Sequence, residues 1–317
     1  MSPFQKSVFP VCGLLLAILH FTAQAANASG LVSNPLGIRM DIGYTYDDNV
    51  SRSNEAQLPD HIYSLHVSKG MLAPLSDHTR LALNGMLGGE RYTTHRGLGR
   101  VSVGLDSELM YRASGQFGAP TWSLFARAFR DQYKSTLRDG SRFALGLSVR
   151  QPLTDRITLK GAVSRNVRNA EHAVFDTQDT GIRVNLDYSL TSSGTIYVSG
   201  EHRRGDIVFS MKSDMAVGEV RQLDDVLAGV HTAGNPIVGA VHLVGGGVSA
   251  STGTQYFDYR MRGKTGLITL GYNHAFGSHS SIDLSWRRIE STPDLQPGYT
   301  PPSYISNQIS WAYLMIF

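Results

Sequence analysis

A two-residue rhythm of apolar and polar side chains constrains the fold of this chain more than any other feature. Between residues 181 and 190, apolar side chains occupy every second position. Successive side chains of a strand point to opposite faces of a sheet, so the rhythm predicts a strand with one apolar and one polar face. The apolar set is Ile182, Val184, Leu186, Tyr188 and Leu190, and the polar set is Arg183, Asn185, Asp187 and Ser189.

The rhythm recurs along most of the chain and predicts about twelve strands, an even number as bacterial barrels have. It is clear in 37–47, 100–112 and 142–150, and looser in 157–164, 195–204 and 281–289. Residues 120–132 are ambiguous, because Phe125 and Phe129 share a face with Arg127 and Asp131. The predicted strands are 36–48, 61–73, 80–92, 99–113, 120–132, 141–151, 156–168, 180–191, 194–206, 258–276, 280–290 and 303–317.

The first residues indicate secretion. Lys6 precedes the apolar run 11–21, and the small-residue site Ala23-Gln24-Ala25 follows it. This order is typical of a signal peptide, which we expect to span residues 1–25 and to be cleaved. Ala26-Asn27-Ala28 offers a second site a few residues on. The mature protein, residues 26–317, is then one domain.

Composition narrows the fold class to a barrel. The one cysteine, Cys12, lies inside the signal, so the mature chain has no disulfide, no zinc–thiolate site and no cysteine nucleophile. No later segment reaches the run of about 20 apolar residues that a membrane helix needs. A membrane protein without such helices is a closed barrel. We therefore predict an all-β, transmembrane, up-and-down antiparallel β-barrel in the Gram-negative outer membrane, with both termini on the periplasmic side.

The predicted connections alternate between short and long, as an up-and-down barrel requires. Residues 207–257 interrupt this pattern as a long insertion. Three interpretations stay open, because loops of this length are usually functional or disordered. The segment is an extracellular loop, or it folds into the lumen as a constriction, or it contains two further strands that make fourteen.

The last strand resembles the signal by which outer-membrane proteins address the barrel-assembly machinery. It ends in Phe317, and Met315, Tyr313, Trp311 and Ile309 alternate back from it. The resemblance implies an outer-membrane β-barrel protein with that machinery, outer-membrane lipid and lipopolysaccharide as partners. In addition, a first strand that ends Tyr46-Asp47-Asp48-Asn49 resembles barrel proteins found with exopolysaccharide export and surface-assembly systems.

Arginines on the predicted lumen face are the candidate ligand-binding residues. Guanidinium groups stay charged and bind carboxylates or phosphates through two hydrogen bonds. Acidic residues share that face, so one interpretation is a network of ion pairs that fills a small barrel, and the other is a selective path for anions. The candidate residues are Arg39, Arg112, Arg127, Arg150, Arg183, Arg203 and Arg287, and the acids are Asp41, Asp106, Glu108, Asp187, Glu201 and Asp283.

These features predict a pore or transporter for a small polar solute or glycan, an anionic one in particular, and not an enzyme. We expect no cofactor or metal, and the net charge of +3 is too small to indicate nucleic acid. One alternative is a non-conducting structural barrel accessory to polysaccharide or surface-protein export. The other is a lipid hydrolase that uses His66 and Ser68, which lie two residues apart on one strand. Asp47-Asp48-Asn49 suits a turn better than a calcium site.

Overall fold

The computed structural model describes residues 37–54, 57–213, 237–238, 255–294 and 303–317. Predicted features in residues 1–36, including the signal peptide, lie outside this part of the chain. No helix within it is both long and apolar enough to cross a membrane. The strands are β1 (Ile38–Asp47), β2 (Asp60–Pro74), β3 (Thr79–Tyr92), β4 (Arg100–Arg112), β5 (Thr121–Tyr133), β6 (Gly140–Pro152), β7 (Ile157–Ala170), β8 (Thr177–Ser189), β9 (Gly194–Ser213), β10 (Ile237–Val238), β11 (Gln255–Ala275), β12 (Ser280–Pro293) and β13 (Tyr304–Ile316).

Twelve long strands form a closed antiparallel barrel, which confirms the predicted fold class. Each strand pairs with its neighbour in the chain, and β13 returns to pair with β1, for example at Ile42 and Tyr313. Strand β9 pairs with β11 along their length, so the two-residue β10 stands outside the ring and pairs only with β11. Closure leaves no long strand with an unpaired edge, which is the condition for spanning hydrocarbon.

The connections differ in length between the two ends of the barrel. At the short-turn end the links include 75–78, 153–156, 190–193 and 276–279, and Gly277 takes a φ of 74° in the last of them. Both ends of the described chain meet there, since Ile38 and Phe317 exchange backbone hydrogen bonds of 3.1 and 2.9 Å. The links at the opposite, long-loop end are longer than these four. The alternation follows the prediction except at residues 113–120, a link of the short-turn end that is longer than the long-loop link 93–99.

Apolar side chains cover the outer wall and polar side chains line the lumen. Outward residues such as Leu145, Leu147 and Ile182 are more than half exposed, as expected for side chains that face lipid. The register resolves the ambiguous segment 120–132. Phe125 and Phe129 point inward with Arg127 and Asp131, while Trp122 and Leu124 point outward.

The structure shortens the predicted insertion 207–257. Its two ends belong to strands, because β9 continues to Ser213 and β11 begins at Gln255. Strands β9 and β11 pair with each other out to Ser213 and Gln255. They are therefore longer than the predicted strands, which end at residue 206 and begin at residue 258. Residues 237–238 form β10, and the remainder of the insertion lies outside the described residues. The choice between an outer loop, a lumen constriction and further strands therefore stays open.

Three consecutive links at the long-loop end share one form. Each contains a single turn of 3₁₀ helix: η1 (Arg96–Leu98), η2 (Thr136–Arg138) and η3 (Ala173–Phe175). Each link bonds to the next, as Lys134 N donates to Gly99 O at 2.9 Å and Glu171 N donates to Asp139 O at 2.7 Å. Backbone pairing thus continues beyond the strands and ties these loops into a rim.

Candidate functional site

All seven arginines predicted for the lumen lie on its inward face. Their ladder partners are inward residues of neighbouring strands; Arg39 stands opposite Ser68, and Arg183 stands opposite Glu201. The inward set is Arg39, Arg112, Arg127, Arg150, Arg183, Arg203 and Arg287.

Four of these arginines are held by carboxylates. Arg39 Nε lies 3.0 Å from Asp41, and Arg127 Nε lies 3.2 Å from Asp106. Glu201 accepts from Arg183 Nε at 2.7 Å and also from Arg203 Nε. Because Asp106 and Glu201 are largely buried, their arginines neutralise charges that water solvates poorly. These four guanidinium groups support the ion-pair interpretation.

The other three, Arg112, Arg150 and Arg287, have no described carboxylate within 4.0 Å. Arg112 donates to the backbone oxygen of Gln116 at 2.8 Å, and its buried Nε has no described partner. Arg287 donates to Thr269 Oγ1 at 3.4 Å. Arg150 and Arg287 therefore keep most of their donors available to a solute, whereas Arg112 offers only its terminal nitrogens, because its Nε is buried.

These three arginines occupy one continuous row of the hydrogen-bond ladder. Neighbours in such a row are about 4.8 Å apart, and the row winds around the lumen because barrel strands are tilted. It runs from the short-turn end of β4 toward the long-loop end of β13, and none of its nine positions is acidic. The next position, opposite Gln308 on β1, is Asp47, which Arg52 binds. The row is Arg112, Thr121, Arg150, Lys160, Asn185, Ser199, Thr269, Arg287 and Gln308.

Four further arginines lie on the lumen face that the sequence analysis did not name, although the same alternation places them inward. Arg100 pairs with Glu90 at 2.6 Å, and Arg142 donates to Asp131 at 3.0 Å. Arg80 and Arg168 share this face through their ladder partners Met110 and Thr177. Extending the two-residue count to the strand ends would have found all four.

Aromatic rings lie flat over inward glycines and narrow the lumen. A Cβ atom on Gly104 would stand 2.1 Å from the ring of Phe129, and one on Gly146 would stand 2.4 Å from the ring of Phe125. Guanidinium groups cover the same rings, with Arg142 5.0 Å from the centre of Phe129. Cation–π contact of this kind holds a charge against the wall of the lumen.

The loop after β1 folds across the mouth at the long-loop end. Asp47 and Asn49 are fully buried there. The Arg52 guanidinium binds Asp47 Oδ2 at 2.7 Å and Ser306 Oγ at 2.7 Å. Ser210 N, on the distant strand β9, donates to Arg52 O at 3.5 Å. This loop therefore links opposite parts of the rim.

Burial lowers the pKa of Arg52, while the Asp47 carboxylate and hydrogen bonding to it act in the opposite direction. The net pKa lies above the ordinary arginine value. Arg52 therefore stays protonated at every physiological pH.

A second set of contacts joins the outer ends of β9 and β11 to the 3₁₀ turns. Arg138 of η2 binds the buried carboxylate of Asp258 at 2.9 Å and lies 4.2 Å from the ring centre of Phe175. Ser210 Oγ donates to Asp258 at 2.5 Å, and Arg260 donates to the backbone oxygen of Asp176. We call Arg138, Phe175, Ser210, Asp258 and Arg260 the mouth latch.

A small apolar cluster joins β9, β11 and β13 at the long-loop end. Ile207, Phe209, Met261 and Tyr304 are buried together, and Phe209 and Tyr304 meet edge to face at 5.4 Å. The sequence alternation could not reveal this cluster, since it depends on the outer ends of β9 and β11 meeting the start of β13.

His66 and Ser68 both point into the lumen but form no hydrogen bond with each other. Asp41 stands opposite His66 and is bound by Arg39, and the His66 ring fills the space above Gly88. A nucleophile needs a base within hydrogen-bond reach, and this pair lacks that geometry. The contacts of His66 and Ser68 therefore support a packing role in the lumen wall rather than a catalytic one.

Asp47-Asp48-Asn49 forms a turn, in line with the preferred interpretation. Asn49 N donates to Asp47 Oδ1 at 2.9 Å, and Asp48 accepts from Asn307 N at 2.7 Å. Among the described residues, no group of three or more His, Cys, Asp or Glu side chains is placed to hold a metal ion.

Solved structures of outer-membrane proteins share this fold. An outer-membrane channel from Pseudomonas putida F1 is similar with a TM-score of 0.54 and 11% identity, over 93% of this chain and all of that one. The chain has the fold of an outer-membrane β-barrel. A KdgM porin in complex with oligogalacturonate has a TM-score of 0.42 at 9% identity, over 88% of this chain and 99% of that one. The translocator domain of the autotransporter NalP from Neisseria meningitidis has a TM-score of 0.45 at 11% identity, over 96% of this chain and 94% of that one.

No protein-family model and no curated protein sequence matches the chain. At these identities the structural likeness concerns the fold of the outer-membrane barrel, and the function has to be argued from the lumen.

Proposed function

We propose that this protein is an outer-membrane pore for a small polar solute or glycan that carries negative charge. The observation that carries the proposal is the row of nine positions without an acidic residue, whose three arginines, Arg112, Arg150 and Arg287, contact no carboxylate in the described part of the chain. Unpaired lumen charges set the selectivity of a barrel. The P. putida protein of the same fold is itself a channel, which fits this proposal.

The proposed row passes an anion from one basic residue to the next. A carboxylate or phosphate on the solute binds a guanidinium fork, and the hydroxyl and amide side chains between the arginines accept and donate to neutral parts of the solute. Conduction requires several sites of moderate strength, so that the solute also leaves. Ion pairs such as Arg127–Asp106 limit the positive charge of the lumen and thereby prevent trapping.

In this proposal the apolar outer wall lies in lipid, the short-turn end faces the periplasm and the long-loop end faces outward. The signal peptide directs export, and the barrel-assembly machinery recognises the strand that ends in Phe317. Lumen solutes then move between the outside and the periplasm.

Planar-bilayer recording in a salt gradient tests the proposal. We expect folded wild-type protein to conduct, with chloride more permeant than potassium. Replacing Arg112, Arg150 and Arg287 together with Gln should lower the chloride-to-potassium permeability ratio several-fold, because these charges lack internal neutralisation. Arg165→Gln, which removes an outward charge, serves as the control and should leave the ratio unchanged. A triple variant with wild-type selectivity contradicts the proposal.

A second candidate function is a non-conducting barrel accessory to polysaccharide or surface-protein export. Contacts across the rim favour it, since Arg52, Asp258 and Phe209 join distant parts of the rim. Folded protein that conducts neither as wild type nor after the mouth latch is broken would favour this function over the pore.

A further inference from the structure

Strands β6 and β7 carry two pairs of basic side chains that stand opposite each other on the lumen wall. Arg142 is opposite Arg168 near the long-loop end, and Arg150 is opposite Lys160 near the short-turn end. On each strand the two pairs are eight residues apart, which is about 26 Å along the strand. A solute in the lumen therefore meets basic groups at two levels of the same wall.

One member of each pair is neutralised by a carboxylate and the other is not. Arg142 Nη2 donates to Asp131 at 3.0 Å, and Lys160 Nζ lies 2.7 Å from Asp187. The residue opposite each of them has no carboxylate within 4.0 Å among the residues that the structure describes. Each level thus keeps one guanidinium group for an anion from outside the protein. These two residues are Arg168 and Arg150.

Arg168 is half-buried, and two contacts hold it in place. Its Nη2 donates to Arg138 O at 2.9 Å, and its guanidinium carbon lies 5.1 Å from the centre of the Tyr133 ring. Its Nε is buried and has no hydrogen-bond partner in the described part of the chain, so a solute reaches the two terminal nitrogens. A half-buried cation without a counter-ion is unfavourable, which favours an anion at these nitrogens.

The acidic side chains in this part of the rim are bound elsewhere. Each accepts hydrogen bonds from another arginine, from a backbone N–H group or from an amide side chain. The neighbouring arginines are therefore neutralised, and Arg168 supplies one single charge. The pairs are Glu90 with Arg100, Asp131 with Arg142, Asp258 with Arg138, Asp139 with Tyr133 N, Asp176 with Ala170 N and Asp179 with Asn166.

Small neutral side chains line β6 and β7 between the two levels. Three inward positions on each strand separate the basic pairs, and only Asn166 among them is larger than serine. The ring of Phe125 reaches over Gly146 from β5 and adds an apolar edge. A solute that leaves Arg168 therefore passes no charge on these two strands before it reaches Arg150. The six positions are Ala144, Gly146, Ser148, Ala162, Ser164 and Asn166.

We propose that Arg168 is a carboxylate-binding site at the long-loop mouth, which receives a carboxylated solute and passes it along β6 and β7 to Arg150. One free pair of terminal nitrogens matches the two oxygens and the single charge of a carboxylate. A phosphate monoester carries a charge of about −1.5 to −2, which one arginine does not balance. The route rests on the proposed pore, whereas binding at Arg168 does not require conduction.

Isothermal titration calorimetry of the folded protein in detergent tests the site, with D-glucuronate as the probe. The variant that has Gln in place of Arg112, Arg150 and Arg287 isolates it from the other free lumen arginines. We expect this variant to bind one equivalent of glucuronate, and to bind D-glucose 6-phosphate several-fold more weakly. Adding Arg168→Gln should weaken glucuronate binding at least tenfold. Adding Arg165→Gln instead is the matched control, since Arg165 is on the outward face of the same strand, and should change nothing.

Two single variants keep the test decisive if the multiple variants fail to fold, which their mobility before and after heating would reveal. Arg168→Gln in the wild-type protein should remove one equivalent of bound glucuronate. Arg168→Lys keeps the charge without the planar fork and should lose the preference for glucuronate over glucose 6-phosphate.

Unchanged glucuronate binding after Arg168→Gln, or an unchanged preference after Arg168→Lys, would overturn the site. Bilayer recording separates this result from the fate of the pore. A barrel that binds glucuronate through Arg168 but does not conduct contradicts the proposed pore and supports the site. A barrel that conducts anions selectively but binds glucuronate equally with and without Arg168 contradicts the site alone.

Discussion

Arg52 adopts a backbone conformation that few arginines adopt. Its φ is 54°, in the left-handed region that non-glycine residues rarely occupy. The side chain offsets this cost, because its guanidinium binds Asp47, Asn49 O and Ser306 at once. Asp47 is fully buried, so Arg52 is the cation that makes its charge tolerable. One residue thereby fixes the loop after β1 over the mouth.

Arg52→Ala should lower the free energy of unfolding by about 3 kcal/mol, because it leaves the buried Asp47 carboxylate without its cation. Urea unfolding in lipid vesicles, followed by tryptophan fluorescence, measures the change. Arg96→Ala is the control, since Arg96 is exposed and its side-chain hydrogen bond to Thr93 O is 3.5 Å long. Equal stability of the two variants would show that the loop does not depend on this pair.

Strands β4, β5 and β6 carry matched glycines and rings. Phe129 of β5 lies over Gly104 of β4, and Phe125 of β5 lies over Gly146 of β6. The glycines leave the space that the rings fill, so a large inward ring fits in a narrow lumen without straining its neighbours. Arg127 and Arg142 stack on these rings and take their positions from them.

Gly104→Ala should destabilise the barrel by about 1–3 kcal/mol, because the new methyl group overlaps a ring that Arg142 covers from the other side. The same urea titration measures it. Gly200→Ala is the matched control within a strand, as its new Cβ meets no atom within 4 Å. A loss of the same size in both variants would mean that strand propensity, rather than the ring, sets the cost.

At the scale of the whole molecule, the barrel joins a polar lumen to a rim whose described loops and strand ends bind one another. The lumen arginines lie below a rim that Arg52, the mouth latch and the apolar cluster hold together. The latch depends on one buried carboxylate, Asp258, and one arginine on a loop from the other side of the rim. Because so few polar contacts form the latch, a single substitution can break it without disturbing the strands of the barrel.

Breaking the latch with Arg138→Gln should raise the rate of liposome swelling with a neutral disaccharide several-fold. The change leaves Asp258 buried without its cation, which favours the open arrangement. Arg130→Gln is the matched control, because its pair with Glu171 is 3.7 Å long and exposed on the rim. Identical swelling of the two variants would show that the latch does not limit passage.

The sequence by itself determined most of the strands and their faces, while the faces of 120–132 and the outer ends of β9 and β11 needed the register. Alternation is a local signal with a period of two, so Arg150 and Arg287 could be placed in the lumen from their own neighbours. Only the tertiary structure decided that these two meet no carboxylate of the described residues while Arg183 and Arg203 share Glu201, since pairing depends on the register between strands. It also decided the mouth, where Arg138 meets Asp258 and Phe209 meets Tyr304. Contacts between residues so distant in the chain leave no periodic trace, because they arise only after the ring of strands has closed.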